Sequence, residues 1–594
     1  MKGNVINLNT LHLNSVRLNG IGKVQSVSLK GGSTEDPVFP PVEPPIEPEP
    51  TPTYTLSASV TNGKVSATRN GSAVNLPYTA NEGDVIVLEV TPNDGYAFEG
   101  WADGVTDNPR TITMTADVVL SAQCVEVVQP PVGNYIQFED KAVEAICVAN
   151  WSSDGIGLTE EDAAAVASIG TTFKGNTEIT SFDEFVYFTG IDLVGSYGWG
   201  NNSGFSGCTN LRSIKLPPSA TALCNGCFYN CTSLEDIGDT SNITSIGHAS
   251  FGGSVFRLSG IKTANFPRLD FIGGMSNWRE SKIEEVISLG TITTIPSQSS
   301  SFEGAFYKCI NLKKVNLPSS FTNIQPSTFL DCSALEFINI PEGITTIGND
   351  AFCGCSSMRL NIKLPNLSTL GTTSSASCFR KSGILSIDLT GSSIETIFST
   401  GSSVKGMFAG CTNLSRVILN EGLKTIQNYA FGECSSLTEV YFPNSLEEIG
   451  EFAFYNTSLA NQDIRIQGLK ITGKAAFKGT KMRSVELPSL QTMNGTSSSA
   501  YGTFNGCTNL EYVLVGSSLT SMGGAEFSNN PKLKAFICHA TSAPTMTGES
   551  FENTPIKSGE GYIYVPDQSV EVYKTGTNWK TYASQIKGIS EYNG

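Results

Sequence analysis

The sequence predicts a mainly β protein in which a solenoid of about 14 stacked units follows a small all-β domain and a proline-rich stalk. The first observation is a repeated phrase: Phe306-Tyr-Lys-Cys309-Ile-Asn-Leu312-Lys-Lys-Val315-Asn-Leu317-Pro318 returns 23 residues later as Phe329-Leu-Asp-Cys332-Ser-Ala-Leu335-Glu-Phe-Ile338-Asn-Ile340-Pro341, and Phe352 opens a third copy. A unit that short cannot bury its own apolar side chains, so neighbours must stack on it. The second is length, because 594 residues are too many for one compact core. The third is composition: only 16% of residues are charged and 59 are glycine, which suits a β-rich body with many tight turns.

Taken in order, residues 1–32 carry Ile6-x-Leu8, Leu11-x-Leu13, Val16-x-Leu18 and Val27-x-Leu29, a rhythm of very short strands broken by turn formers. Such a segment is too small to fold alone and is expected to pair with another chain, as a docking or oligomerisation peptide; a frayed terminus is the plainer alternative. Residues 33–52 form a linker, with the proline-dense run Pro37–Pro52 favouring an extended polyproline II spacer.

Residues 53–128 read as an all-β unit, with strands over Tyr54–Val60, Asp84–Val90 and Thr111–Thr115 set apart by Asn62-Gly63, Asn70-Gly71, Glu82-Gly83 and Asp94-Gly95 turns. Trp101 is expected to be its core aromatic rather than a ligand platform. Residues 134–204 change in tone and form a cap for the solenoid, with Thr159 starting a helix of two to three turns through the run ending at Ile169. Just before it, Asn150, Ser152, Asp154, the carbonyl position Ile156 and Glu161 fall at places 1, 3, 5, 7 and 12 of a calcium loop with Gly155 at 6. Two carboxylates are few for calcium, so a metal-free turn capping the helix competes with that reading.

Residues 205–555 hold the repeats. Opening aromatics are read at Phe205, Phe228, Phe251, Trp278, Phe306, Phe329, Phe352, Phe379, Phe408, Phe431, Phe454, Phe477, Phe504, Phe527 and Phe551, at intervals of 23 to 29 residues. Longer intervals place Ser/Gly insertions, as at Gly371, Phe398 and Asn494, before the next opening aromatic, so they should project from one edge. Residues 556–594 form a C-terminal cap. Of 15 cysteines, eight sit three residues after an opening aromatic, which predicts a buried column of reduced thiols rather than disulfides.

The pattern Phe-x-x-Cys-x-x-Leu-x-x-Ile-x-Leu-Pro, complete from Phe329, resembles the BspA-type leucine-rich repeat, and the Tyr562–Ile586 stretch is similar to that family's C-terminal cap. Residues Val90–Trp101 with Met114–Leu120 resemble the divergent InlB-type B-repeat. The first resemblance implies a leucine-rich-repeat solenoid that binds macromolecules on host or tissue surfaces; the second implies a β-grasp or immunoglobulin-like spacer.

Side-chain alternation in each strand sends Leu and Ile inward and their neighbours outward. The candidate ligand surface is therefore the outward ladder Lys215, Lys314, Asn316, Phe337, Asn339, Arg416, Glu439, Tyr441, Glu486 and Tyr512, with Ser213, Ile418, Ser484 and Leu514 in the same rows. A merely solvated face is the plain alternative. Against catalysis stand three scattered histidines, His12, His248 and His539, and the absence of nucleotide-binding, hydrolase or metalloprotease motifs. Cys224-x-x-Cys227 has the spacing of half a zinc site, without a matching second half. With 38 basic and 55 acidic residues the net charge of −17 disfavours nucleic acid, and no apolar run is long enough for membrane insertion.

The start, Met1-Lys-Gly-Asn-Val-Ile, has no continuous apolar run of the kind a secretory signal carries. The expected function is therefore a non-enzymatic phage head or tail fibre, similar to those of phages of gut Bacteroidales, assembled in the host cytoplasm and located on the virion. Residues 1–32 would bind a capsid or tail protein, with a homotrimer as one oligomeric form. The solenoid would adhere to host-surface or mucus protein or glycan. A bacterial cell-surface adhesin is the alternative, and a glycan-active enzyme a weaker one. No cofactor is expected beyond the calcium of the 150–161 loop.

Overall fold

The computed structural model describes residues 51–127, 134–196, 203–248, 253–297, 304–372, 377–399, 406–460, 463–496 and 501–594. The strands expected in residues 1–32 and the stalk up to residue 50 lie outside them. The chain divides into two compact units, Met1–Gln129 and Pro130–Gly594.

In the first unit, eight strands form two sheets: β1 (Thr53–Thr61), β2 (Gly63–Arg69), β3 (Ser72–Val74), β4 (Tyr78–Asn81), β5 (Val85–Pro92), β6 (Tyr96–Trp101), β7 (Arg110–Thr113) and β8 (Val118–Glu126). One sheet runs β4-β1-β8-β6 and the other β3-β2-β5-β7. Every pairing is antiparallel except β1 with β8. Asn70 and Gly71 both take positive φ, the two-residue turn that matches strand twist and pairs Arg69 with Ser72. The sheets share one core of Leu56, Ile86, Leu88, Val90, Trp101 and Met114. Trp101 is buried as expected, and its indole N–H donates to the Asp107 carbonyl at 3.0 Å. With two four-stranded sheets and no helix among residues 51–127, the unit follows the immunoglobulin-like alternative.

The second unit begins with a helix that the sequence reading did not single out, α1 (Lys141–Trp151). Asp140 caps it by accepting from Ala142 and Val143, while Val143 and Cys147, one turn apart, face the core. The helix expected from Thr159 is shorter than the alanine run suggests: α2 covers Glu160–Ala165, under two turns, behind a Thr159–Asp162 capping box. It stops because Val166 and Ile169 extend into the core instead of continuing the helix.

Most coils then contribute two short strands, one to each of two parallel ladders. In the first, Lys314, Val315 and Asn316 pair with Phe337, Ile338 and Asn339; in the second, Asn323-Ile324 pairs with Thr346-Ile347. In Lys314–Asn316, Phe337–Asn339, Arg416–Ile418 and Glu439–Tyr441 the middle residue is buried and its flankers face outwards. Between the ladders the opening aromatics stack from Phe173 to Phe551 with centroids 5.0–5.9 Å apart and planes within 25°. That spacing is close to the strand separation of a sheet, so one ring per coil fills the interior continuously.

One expected member is different. The ring stacked between Phe228 and Trp278 is Phe256, not Phe251, which lies outside the described residues. Phe251 stands 23 residues after Phe228 and Phe256 stands 28 after it, so counting by the common interval lands on the wrong phenylalanine. The column also reaches back to Phe173 in the cap. At the far end Tyr582 meets Phe551 edge-on at 5.2 Å, with Trp579 and Tyr573 buried beside it, closing the stack with rings turned across it.

Candidate binding surface

The outward rows of the first ladder collect most of the residues that the sequence pattern assigned to a ligand surface. Phe337 and Tyr441 stand 44% and 47% exposed. Around them, neighbouring coils exchange ion pairs: Lys215 with Asp183 at 2.8 Å, Lys314 with Glu285 at 2.8 Å, Arg416 with Glu439 at 2.9 Å and Arg465 with Glu486 at 3.2 Å. The Arg416 guanidinium also lies 5.1 Å from the Tyr441 ring centroid, holding that ring in place. The Asn339 amide both accepts from the Leu317 N–H at 2.6 Å and donates to its carbonyl at 2.9 Å, while Asn316 reaches the Ile287 carbonyl at 3.4 Å. The two asparagines thus tie adjacent coils together.

Between Phe337 and Tyr441 the face dips. Asn361, Lys363, Ser386, Asp388, Arg416 and Ile418 line a shallow depression of about 380 Å³, with the small Ser386 at its centre donating to Asn361 at 2.7 Å. Asn361, Lys363, Ser386 and Asp388 were not among the residues singled out from sequence. Their strands, Asn361–Lys363 and Ser386–Asp388, obey the same alternation, but they flank the long intervals around Phe379, where counting by 23 loses the register.

At the C-terminal end the surface differs from expectation. Tyr512 is not open: Tyr592 stacks on it at 6.3 Å, and the last residues, with Ile589, cover Ala535, Ile537 and Tyr564 of the same face. Burial pushes the Tyr512 phenol up to about 12. Leu514 packs into that cluster and Ser484 is buried, donating to Asp463 at 2.6 Å. The open face therefore ends before Tyr512, because the chain folds its own terminus over the last coils.

The 150–161 loop holds itself together. Asn150 sits in the last turn of α1 and donates to the Ile146 carbonyl at 2.8 Å; Ser152 donates to Asp154 at 2.9 Å and to the Gly157 carbonyl at 2.6 Å. Asp154 accepts from the Tyr135 hydroxyl at 2.6 Å and the Ile156 N–H at 2.8 Å, and these bonds, the phenol's first, hold its carboxyl down to about 2. Glu161 is in α2 and the Ile156 side chain is exposed.

All fifteen cysteines are buried and free. The eight at the repeated position point their thiols at the carbonyl of the preceding coil's aromatic, as Cys332 does to Phe306 and Cys355 to Phe329, at 2.8–3.2 Å. Burial pushes Cys208, Cys309 and Cys507 up to about 12. Where cysteine is absent a small polar residue stands in, such as Ser281, Ser382, Thr480 or Asn530, so the position selects a compact hydrogen-bonding group. Cys224, of the Cys-x-x-Cys, is hydrogen-bonded with the Ser203 hydroxyl at 2.7 Å. Among the described residues no three His, Cys, Asp or Glu side chains gather as metal ligands, and no helix is long and apolar enough to cross a membrane.

Comparison with known proteins agrees with this architecture. The family model of the BspA type leucine-rich repeat region matches residues 187–304, 277–400, 402–534 and 471–560, and that of the divergent InlB B-repeat domain matches residues 61–126. Nothing among curated proteins matches. Among solved structures, a leucine-rich repeat protein from Bacteroides ovatus is 22% identical over 50% of this chain and 88% of its own, with a TM-score of 0.29. One from Eubacterium ventriosum is 20% identical over 51% and 81%, with a TM-score of 0.30. A leucine-rich cell surface protein from Faecalibacterium prausnitzii is 20% identical over 54% and 83%, with a TM-score of 0.27.

Proposed function

Because the chain belongs to the BspA-type leucine-rich repeat family, we propose that it is a non-enzymatic adhesion protein whose outward strand face binds host-surface or mucus protein or glycan. One observation carries this reading: Phe337 and Tyr441 stay exposed on either side of a polar depression, whereas Tyr512, Tyr562 and Tyr564 farther along pack with the C-terminal tail. Exposed aromatics beside hydrogen-bonding side chains are the composition of a contact surface, since a purely solvated face has no use for them. The bonds that Asn316, Asn339 and Arg416 make between coils keep this surface rigid, which lowers the entropy lost on binding.

The carrier we propose is a phage particle, with residues 1–32 binding a capsid or tail protein and the Pro37–Pro52 stretch holding the binding units away from it. The support lies in the sequence: strand-length apolar pairs too short to fold alone, then a spacer-like run of prolines. The family match equally supports display on a bacterial cell surface, and this is the second reading. Mass spectrometry of purified virions, set beside surface proteolysis of intact bacteria, separates the two. On the virion reading, deletion of residues 1–32 abolishes incorporation; unchanged incorporation overturns it. For adhesion, the F337S/Y441S double variant of the full chain is expected to lose at least tenfold in binding to host cells. Turnover of host polysaccharide by the purified chain would overturn the non-enzymatic reading.

A further inference from the structure

We propose a second binding surface, an aromatic platform for a glycan chain, on the turn edge of the coils between Tyr429 and Tyr501. It goes beyond the adhesion reading by naming another surface and a ligand class, and it does not require the strand face to bind anything.

Two residues before the stacked aromatic, nine coils place a residue in the left-handed region of φ. In seven of them that residue is glycine, serine, alanine or aspartate, as at Gly226, Ser327 and Ala475. The other two are adjacent coils, and they hold Tyr429 at φ 56° and Phe452 at φ 53°. Bulky side chains are uncommon in this conformation, which the coil demands whatever occupies it. Serine meets that demand elsewhere, so the two rings answer to something other than the fold.

Their arrangement shows what. The Tyr429 and Phe452 rings lie face to face, with centroids 4.8 Å apart and planes within 10°. Tyr455 and Tyr501 meet Phe452 edge-on at 5.7 and 5.8 Å, Tyr501 reaching across the coil whose equivalent residue is the small Ala475. Backbone bonds fix the series: Tyr429 to Glu451, Phe452 to Lys474 and Ala475 to Tyr501, at 2.8, 3.0 and 3.1 Å. The patch thus crosses three coil steps, roughly 15 Å at about 4.8 Å each, the length of about two or three pyranose rings.

Three features suit a sugar. The phenol hydroxyls of Tyr429, Tyr455 and Tyr501 make no hydrogen bond among the described residues, and Tyr501 is 42% exposed. They present an apolar ring for the C–H face of a pyranose and a polar tip for its hydroxyls. A small dip of about 160 Å³ beside Tyr429, floored by Ala409 and Gly432, adds Lys381 and Glu433 as hydrogen-bonding groups of both signs. Lys474 is paired to Glu451 at 2.8 Å, while Lys478 lies 5.4 and 5.8 Å from the Tyr501 and Tyr455 ring centroids and Arg380 lines the dip with Lys381, so N–H donors for sugar oxygens stand beside the rings.

The test uses the full chain and a pool of mucin O-glycans freed of sialylated and sulfated members. Tyrosine acetylation by N-acetylimidazole, read by mass spectrometry, is expected to fall at least fivefold at Tyr429, Tyr455 and Tyr501 when millimolar glycan is present. That protection should persist in F337S/Y441S and vanish at Tyr455 and Tyr501 in Y429S/F452S, whose serines reproduce the residue found at this position in other coils. Equal reactivity of the three wild-type tyrosines with and without glycan overturns the proposal, and so does protection given only by deglycosylated mucin polypeptide. Loss of host adhesion in F337S/Y441S bears on the strand face alone, so the two readings fail separately. Should Y429S/F452S fold poorly, the wild-type protection pattern still decides.

Discussion

The interior of the coils and their outer faces obey opposite rules. Inside, one position is an aromatic ring from Phe173 to Phe551, and three residues on from most of those rings stands a compact polar group bonded to the coil before. Outside, the strand rows change residue type at almost every step: Glu285, Lys314 and Phe337 are neighbours in one row, Ser386, Arg416 and Glu439 in another. The repeated positions supply stability by stacking, and each depends only on the coils beside it. The varied positions are released from that duty, so residue type there is free to change from coil to coil.

The largest effect expected is on the interior. Phe352 is fully buried between Phe329 and Phe379, and F352A removes two ring contacts and leaves a cavity, at a cost of about 3–5 kcal/mol. Since coils depend on their neighbours, the loss should show first as local opening. Hydrogen exchange ought to rise around Phe329–Phe379 before it rises near Phe527, and uniform loosening along the chain would count against nearest-neighbour stacking.

Glu526 breaks the interior rule and gives a sharper probe. It occupies the place that Ala351, Ala430, Ala453 and Ala476 fill in other coils, and it is wholly buried. Its carboxylate accepts from the N–H groups of Gly495, Thr503 and Gly523 at 2.7–2.9 Å, pinning both ends of the Asn494–Gly502 insertion. Restoring alanine with E526A leaves those donors bare and should cost about 1–3 kcal/mol. Burial raises the folded carboxyl above its ordinary 4.5, against the pull of the three N–H groups. A raised folded value means that the folded state holds the proton longer, so this contribution to stability is complete below about pH 4.5 and is lost as pH rises through the folded value. E526Q should flatten that decline in denaturant melts between pH 5 and pH 8. A slope unchanged by the substitution would assign it to other groups.

A smaller effect is expected at the thiols. C332A deletes the S–H bond to the Phe306 carbonyl and should cost about 1 kcal/mol, whereas C332S, carrying the residue found at Ser281 and Ser382, should stay nearer wild type. Burial holds the Cys332 thiol well above its ordinary value, so alkylation at pH 8 should follow unfolding rather than precede it.

How much of this was legible in the sequence follows the same division. Interior positions repeat, and their period placed the strands, the thiol column and all but two members of the ring stack, Phe173 and Phe256. Phe256 was missed because extra residues precede it and Phe251 stands at the common 23-residue spacing, and Phe173 because it lies in the cap, before the repeats become regular. The helix α1 escaped notice because its signal is local, a capping Asp140 with two inward residues. On the face, alternation alone identified Phe337, Arg416 and Tyr441 as outward. It could not foresee that Tyr592, far along the chain, would cover Tyr512. Nor could spacing show that the oxygens of Asp154 are taken up by Tyr135 and by its own loop. Contacts between residues distant in sequence leave no periodic trace.

The smallest effect on stability, and the largest on binding, belongs to the strand face. Phe337 and Tyr441 are nearly half exposed, so replacing them with serine removes little buried surface and should change stability by no more than about 0.5 kcal/mol. Arg416 would lose the ring beneath its guanidinium but keep Glu439 at 2.9 Å, which leaves the coil-to-coil tie intact. An F337S/Y441S chain that melts with wild type and no longer holds host cells would separate the two duties within single strands, since Ile338 and Val440 between the substituted rows stay buried. If the same chain melts markedly earlier, the rings serve the fold, and the division between a repeated interior and a recognising face fails where it is easiest to observe.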